Sequence, residues 1–153
     1  MALELNTIGV EVLYKAEATA GTMPTSGYTK IPNVTSISEI TGQPDQLECT
    51  DLSDEWKRFV DGVKDTGGNL TLGVNLTAAF KTAWETLVTA YETAKASGKA
   101  IWFEIKVPNL ASFYIAGNPQ DLGLPNIEVN NVLAGNAYIT INQIAGWATS
   151  STT

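Results

Sequence analysis

The sequence has 153 residues, enough for one domain with a buried core, because a domain of this size buries roughly two-thirds of its unfolded surface. Charged residues make up only 16% of the chain, and the formal net charge is −7. An acidic chain without clustered Lys and Arg cannot hold nucleic acid by neutralising phosphates, so composition excludes an electrostatic DNA- or RNA-binding protein. A surface poor in charge is easily desolvated and therefore suits burial against other proteins.

Several kinds of catalytic and targeting chemistry are excluded by missing residues. The chain has no histidine, which rules out Ser-His-Asp triads, Cys-His pairs and His-based metal sites. Cys49 is the single cysteine, so no intrachain disulfide can form, and we expect a small buried thiol. Asp51, Asp54 and Glu55 could flank a sugar or hold calcium, but they lack the spacing of a calcium loop. The sequence therefore predicts no catalytic residue, no metal site and no cofactor.

Targeting segments are not recognisable in the chain. The start, from Met1 to Leu5, lacks the basic and apolar regions of a secretory signal. No apolar run approaches the ~20 residues that a membrane helix needs, so we expect no membrane partner. We expect the protein to be synthesised in a cytoplasm.

The first third of the chain has the period of strands. Apolar residues alternate from Ile8 to Lys15, which predicts a half-buried strand. The small and polar stretch from Ala16 to Gly27 predicts a loop. The β-branched stretch from Tyr28 to Ile40 is predicted to be extended, and Pro32 indicates an edge strand or an irregular start.

The stretch from Gly42 to Gly68 is predicted to be a long loop, because neither helical nor strand periodicity dominates it. It carries seven acids and three bases, and a structureless segment of this length is unusual in a compact domain unless it is functional. Trp56 and Phe59 either pack onto the domain's own sheet or anchor a partner surface, where aromatic residues and Arg concentrate the binding energy.

One helix is predicted at about residues 77–97. Phe80, Trp84, Leu87 and Tyr91 fall on a single apolar stripe of helical spacing, for which core packing is the expected role. Asn75 or Thr77 can cap the start and Gly98 can end the helix.

The remaining segments complete a mainly β domain. Further strands are predicted at Asn69–Leu76, Ile101–Val107, Ala111–Gly117, Asn126–Val132 and Asn136–Ile144, with turns at Asn118-Pro119 and Ala134–Asn136. About seven strands and one helix indicate a β-sandwich or small barrel with the helix on one flank. We expect one domain over residues 1–148, followed by a flexible tail over 149–153.

The central segment carries an ordered set of motifs. Its pieces are Ile31–Ile40, Asp45–Leu52, Asp54–Gly62 and Asp65–Leu72. A strand ending in I-x-x-I leads to an acidic E-x-T-x-L step, then to an aromatic and basic K-R-F-V-x-G loop, and then to a glycine-marked strand. This order resembles the phage tail tube (major tail) proteins of long non-contractile tails, and Gly9–Tyr14 is similar to their opening strand. The resemblance is close over Ile31–Leu72 and holds in outline elsewhere.

The resemblance implies a structural protein of the virion. It implies a β-sandwich that assembles into hexameric rings, which stack into a hollow tail tube through which the genome passes. It implies tape measure, tail terminator and distal tail proteins as further partners, with DNA passing transiently and without specific binding. It also implies that the long loop reaches a neighbouring subunit or ring. The candidate contact residues are Asp51, Leu52, Asp54, Trp56, Lys57, Arg58, Phe59, Val60 and Gly62.

Other classes of function stay open at this point. A close variant is the tube protein of a contractile tail or of a type VI secretion machine. The main alternative is a monomeric β-sandwich binding module, either carbohydrate-binding or a head-decoration protein. A sugar-binding module needs an exposed aromatic platform, for which Trp56 with Trp102 or Trp147 is the candidate set. A weaker alternative is a glycosidase that uses the loop acids.

Overall fold

The computed structural model describes residues 4–65 and 68–152, and within these ranges the chain forms nine strands and one helix. In chain order they are β1 (Glu11–Ala16), β2 (Thr29–Lys30), β3 (Val34–Ile37), β4 (Pro44–Glu48), β5 (Phe59–Lys64), β6 (Asn69–Asn75), α1 (Ala78–Ala96), β7 (Ile101–Lys106), β8 (Ser112–Pro119) and β9 (Ala134–Ala148). The predicted mainly β domain with one helix is confirmed.

Seven of these strands form one antiparallel sheet in the order β2-β1-β7-β8-β9-β6-β3. The edge strands are close in sequence, because β2 ends at Lys30 and β3 begins at Val34. This connection can span at most about 14 Å, whereas a flat sheet of seven strands would hold its edges about 29 Å apart. The sheet therefore bends over into two layers, and the described strands form a sandwich without closing into a barrel.

The bend lies at β9, which takes part in both layers. Residues Ala134 to Thr140 pair with β6, and residues Ile139 to Ala148 pair with β8. The β8 ladder contains two register shifts, which increase twist and bend a strand. At Gly117 of β8, an added Cβ would lie 2.6 Å from the carbonyl oxygen of Thr140. Only glycine allows this close approach of the two backbones.

We expect Gly117→Ala to lower the free energy of unfolding by about 1–3 kcal/mol, because the new methyl group would force the corner apart. Gly123→Ala is the matched control, since an added Cβ at Gly123 meets nothing within 4 Å. Urea denaturation of both variants checks the prediction. Equal midpoints for Gly117→Ala and the wild type would show that the corner yields without strain.

The core lies between the two layers and is covered by α1. Alternate residues of β6 and β7 face this core, together with one face of the helix. These residues are Leu70, Leu72, Val74, Phe80, Trp84, Leu87, Ile101, Phe103 and Ile105. The indole N–H of Trp84 donates to the carbonyl oxygen of Gln120 at 2.8 Å, which ties the helix to the end of β8.

The ends of α1 follow from its capping residues. Thr77 adopts an extended conformation and its hydroxyl accepts a hydrogen bond from the N–H of Phe80 at 3.1 Å. Gly98 has a φ of 70°, and its N–H donates to the carbonyl of Lys95. The predicted helix, with its start at Thr77 and its end before Gly98, is confirmed.

Some sequence predictions differ from the structure between residues 118 and 136. Asn126–Val132, predicted to be a strand, is irregular and largely exposed. Asn118-Pro119 and Ala134–Asn136, predicted to be turns, lie inside β8 and β9. Pairing with β6 and β9 overrides the turn preference of these residues, and Pro119 is tolerated because it is the last residue of its strand.

The sheet also has a second buried face. Trp102, Tyr114 and Ala116 pack there under Met23 and Tyr28, so part of the predicted loop over 16–27 covers this outer face. Thr152 forms a parallel bridge with Ser26. The division into a domain over 1–148 and a flexible tail stays a prediction, and Thr153 lies outside the described residues.

Candidate interaction site

The stretch predicted to be a long loop contains a β-hairpin, which we call the arm (residues 42–65). In it β4 pairs only with β5 and stands apart from the seven-stranded sheet. The prediction was incomplete at this point, because it missed the pairing of β4 with β5. Two residues of the predicted loop, Thr66 and Gly67, lie outside the described residues. A two-stranded hairpin is marginally stable alone in water, and the arm has no third strand paired with it among the described residues.

The arm exposes apolar side chains on both of its faces. In register, Leu47 lies opposite Val60, and Glu48 lies opposite Phe59. Since side chains alternate along a strand, Leu47 and Val60 occupy one face and Phe59 occupies the other. The register shift between Pro44 and Gln46 returns Val63 to the face of Leu47 and Val60. All four of these apolar side chains are at least half exposed. A single flat surface could therefore not cover all four of these residues.

The tip of the arm is fixed by hydrogen bonds of its own. The Nε of Arg58 donates to Asp54 at 2.7 Å, and the backbone N–H of Arg58 donates to the hydroxyl of Thr50 at 2.9 Å. The backbone N–H of Ser53 donates to Asp51 at 2.8 Å. Exposed ion pairs contribute little free energy each, but together these bonds give the tip one shape. Arg58 and Asp54 thus shape the loop.

Two large apolar residues project from this tip. Trp56 is 82% exposed, and Leu52 is fully exposed. The neighbouring Lys57 is also exposed and forms no ion pair with the described residues. Of the two alternatives for Trp56 and Phe59, packing onto the domain's own sheet does not occur, because both side chains are more than half exposed. Their role in binding a partner stays a prediction.

Gly62 has a structural reason to be glycine within the arm. An added Cβ would lie 3.2 Å from the carbonyl oxygen of Asp45 on the paired strand. This close approach keeps β4 and β5 together near the base of the arm. All the contact residues predicted from the sequence, from Asp51 to Gly62, therefore lie in the arm, some at its surface and others within its framework.

Among the acids of the tip, Asp51 lacks the raised pKa of a glycosidase general acid. The hydroxyl and backbone N–H of Ser53 hold the pKa of Asp51 below its ordinary value, so this exposed carboxylate is ionised. A general acid of a glycosidase needs a raised pKa and a cleft, which this convex loop does not offer. Among residues 4–65 and 68–152, no group of three His, Cys, Asp or Glu side chains is placed to hold a metal ion.

The expectation of a buried Cys49 is wrong. The residue follows β4 at the start of the tip, where its side chain is exposed and its thiol is free. Its backbone N–H donates to the carbonyl oxygen of Arg58 at 2.9 Å, which closes the end of the hairpin. Cysteine is usually buried. Cys49 is exposed because it lies in the projecting arm, where the core of the domain does not cover it.

Sequence reasoning missed a second exposed apolar segment between β8 and β9. Leu124, Ile127, Val129 and Val132 are all more than 60% exposed. The segment borders a groove of about 590 Å³ between its residues 122–126 and the strands β3, β6 and β9. Asn130 has a φ of 63°, so an Asn-Asn turn was the available signal against a strand.

Trp102 cannot belong to the exposed aromatic platform that a sugar-binding module needs. Trp102 is buried on the outer face, where its indole N–H donates to Glu17 at 2.9 Å. Trp147 is exposed and contacts Phe113 edge to face, with ring centroids 5.3 Å apart. Trp56 and Trp147 are the remaining exposed candidates.

In the described part of the chain, no helix has the length and apolarity required to span a bilayer.

Comparison with known proteins shows a shared fold. No family model matches this chain, and no curated protein matches its sequence. A chain of the six-fold symmetrised anti-feeding prophage baseplate is similar with a TM-score of 0.63 at 8% identity, over 95% of this chain and 97% of that chain. A chain of the gene transfer agent tail, refined helically with C6 symmetry, has a TM-score of 0.57 at 10% identity, over 97% and 100%.

A third similar chain comes from the virion of the native gene transfer agent. It has a TM-score of 0.55 at 10% identity, over 90% of this chain and 95% of that chain. At such low identities the likeness establishes the fold alone. The protein thus has a fold found in phage-like tail and baseplate particles, over nearly its whole described length.

Proposed function

We propose that this protein is a tail-tube subunit that assembles into stacked hexameric rings around a channel for the genome. The observation that carries the proposal is the arm, which presents apolar side chains on both faces and at its tip. Burying such a side chain stabilises an interface by roughly 1.5–3 kcal/mol. Because the two faces point in opposite directions, the arm is suited to lie between two neighbouring copies, which a ring or stacked tube supplies.

The similar structures support the proposal of a ring or stacked tube. Two of them are described with six-fold symmetry, and one of these is a tail refined as a helix. Rings and tubes use heterologous contacts, in which one surface of a copy meets a different surface of the next copy. The arm is one such surface, and its acceptor is a different part of the neighbouring copy.

The proposal places the protein in the virion, with a structural and not a catalytic role. Its partners are copies of itself, and at the ends and inside of the tube they are the tail terminator, distal tail and tape measure proteins.

Negative-stain microscopy of concentrated protein tests the proposal. We expect rings or tubes of uniform bore, with six-fold symmetry in end views. Sedimentation of the same samples should show a transition from single chains to large particles as the concentration rises. Single compact particles at every concentration would contradict the proposal and favour the monomeric binding module.

We further expect no appreciable DNA affinity at physiological salt. The chain carries 16 acids and 9 bases, so its field repels phosphate and few counterions would be released on contact. A gel-shift assay with double-stranded DNA checks this expectation. Binding at micromolar protein in about 150 mM salt would contradict a channel wall that lets the genome slide past.

A further inference from the structure

Glu104 is a fully buried carboxylate on the outer face of the sheet. It lies in β7 with 0% of its surface exposed, and none of the ion pairs among residues 4–65 and 68–152 involves it. A buried charge is costly unless hydrogen bonds replace its hydration. The groups that donate hydrogen bonds to the Glu104 carboxylate take the place of water. The segments that carry these donors are therefore held against Glu104.

Two of the four donors belong to Ser151, near the end of the described chain, and the others are the hydroxyls of Ser112 and Tyr114 on β8. Ser151 donates its backbone N–H to Glu104 at 2.9 Å and its hydroxyl at 2.5 Å. The hydroxyl of Tyr114 lies 3.0 Å from the same carboxylate and 2.8 Å from the carbonyl oxygen of Thr149. A phenol has one proton, and a bond to a charged acceptor is the stronger one, so the proton goes to ionised Glu104.

Residues 149–152 have few other contacts that could hold them. The N–H of Gly27 donates to Thr152 at 3.1 Å, and the N–H of Thr152 donates to Thr25 at 3.3 Å. The hydroxyls of Ser112 and Ser150 lie 2.9 Å apart. All four side chains of the segment are small hydroxyls, so no apolar anchor reaches the core. Single neutral hydrogen bonds near the surface contribute less than bonds to a charged group.

We propose that Glu104 is a latch, whose ionised carboxylate holds residues 149–152 on the outer face of the sheet and whose protonation releases them. The latch lies on the outer face of the sheet and not in the arm. The proposal of a latch therefore does not depend on assembly of the chain. Release would uncover Tyr114 and the edge of the segment around Ser26 that Thr152 now pairs with.

The direction of the pH dependence follows from the contacts. Burial opposes ionisation, but hydrogen bonds from Ser112, Ser151 and Tyr114 outweigh it and hold the pKa of Glu104 below its ordinary value of 4.5. The released state therefore takes up the proton before the latched state does. The latch is fully closed above about pH 4.5 and is lost as the pH falls through the lowered pKa.

The groups that face Glu104 do not reverse this direction. Burial and the neighbouring carboxylate raise the pKa of Tyr114 to about 12, and burial also raises the pKa of Tyr28, so both phenols stay neutral in acid. Residues 149–152 carry no ionisable side chain. Lys106, on the same strand, and Glu11, on β1, line the small cleft beside Ser150. Glu104 is thus the group whose proton changes the bonds to Ser151.

Amide hydrogen exchange of the full chain at neutral pH tests the latch. We expect Glu104→Gln to speed exchange at Ser151 by roughly tenfold or more, the effect of losing charge-assisted bonds, without loss of protection at Ile115 in β8. Glu17→Gln is the matched control. Glu17 is a second buried carboxylate that binds the indole of Trp102 and the N–H of Ala100, away from residues 149–152.

A second variant keeps the test decisive if Glu104→Gln does not fold. Ser151→Pro removes the N–H and the hydroxyl from the tail side, so we expect the Glu104 pKa, followed by NMR, to rise relative to the wild type. Unchanged Ser151 exchange in Glu104→Gln, equal acceleration in Glu17→Gln, or an unchanged Glu104 titration in Ser151→Pro would each overturn the proposal.

Discussion

Trp56→Ala and Phe59→Ala are expected to block polymerisation while the domain stays folded. Both side chains are more than half exposed in the single chain, so their loss should change the free energy of unfolding by no more than about 0.5 kcal/mol. As interface anchors, each should contribute about 2 kcal/mol or more per contact. Loss of one anchor should therefore raise the concentration needed for assembly by roughly 30-fold. Light scattering over a concentration series, with thermal unfolding in parallel, measures both effects.

Trp147→Ala is the matched control for these arm variants. Trp147 is also an exposed tryptophan, but it lies on β9 and contacts Phe113. We expect this variant to assemble at nearly the wild-type concentration. Normal tubes from Trp56→Ala and Phe59→Ala would refute the assignment of the arm as the contact surface. An equal loss in Trp147→Ala would show that exposed aromatic area in general drives association.

Trp84→Ala is expected to lower the free energy of unfolding by about 3–5 kcal/mol. Trp84 is 1% exposed, stacks on Phe80 with centroids 5.8 Å apart, and donates to Gln120. Truncation leaves a large cavity between helix and sheet and an unpaired carbonyl. Such a loss is a large part of the ~5–15 kcal/mol that stabilises a typical domain. Chemical denaturation of the monomer measures it.

The same substitution at Trp56 provides the comparison for Trp84. Both changes remove an indole, but one lies in the core and the other projects from the tip of the arm. The two variants should therefore show opposite patterns, with lost stability in one and lost assembly in the other. Similar stability of Trp84→Ala and Trp56→Ala would contradict the packing role of α1.

The elements that face the core could be predicted from the sequence. The helix has an apolar stripe and a Thr77 cap, and β6 alternates strictly between buried and less buried positions. In these elements the period of the apolar residues matches the period of burial, so the pattern identifies both the structure and the buried face.

The arm and the segment 122–133 could not be predicted in the same way. Leu47, Val60, Phe59 and Val63 are exposed on two faces, so their spacing shows no single buried side. Val129 and Val132 look like strand residues but are exposed in an irregular segment. A sequence pattern records that a residue is apolar, and not whether its own domain or another molecule covers it. The bend at Gly117 could not be predicted from the sequence either, because it depends on a contact with β9.

The charges of the arm limit what it can land on. Seven acids against three bases give every arm the same net sign. Two arms brought together would repel, and the charged residues beside their exposed strand edges disfavour unintended edge-to-edge pairing. A symmetric pair in which each arm grips the other is therefore disfavoured. On the proposed function, each copy offers its arm to an unlike surface and leaves its own such surface vacant for the next copy, so the assembly would grow in one direction.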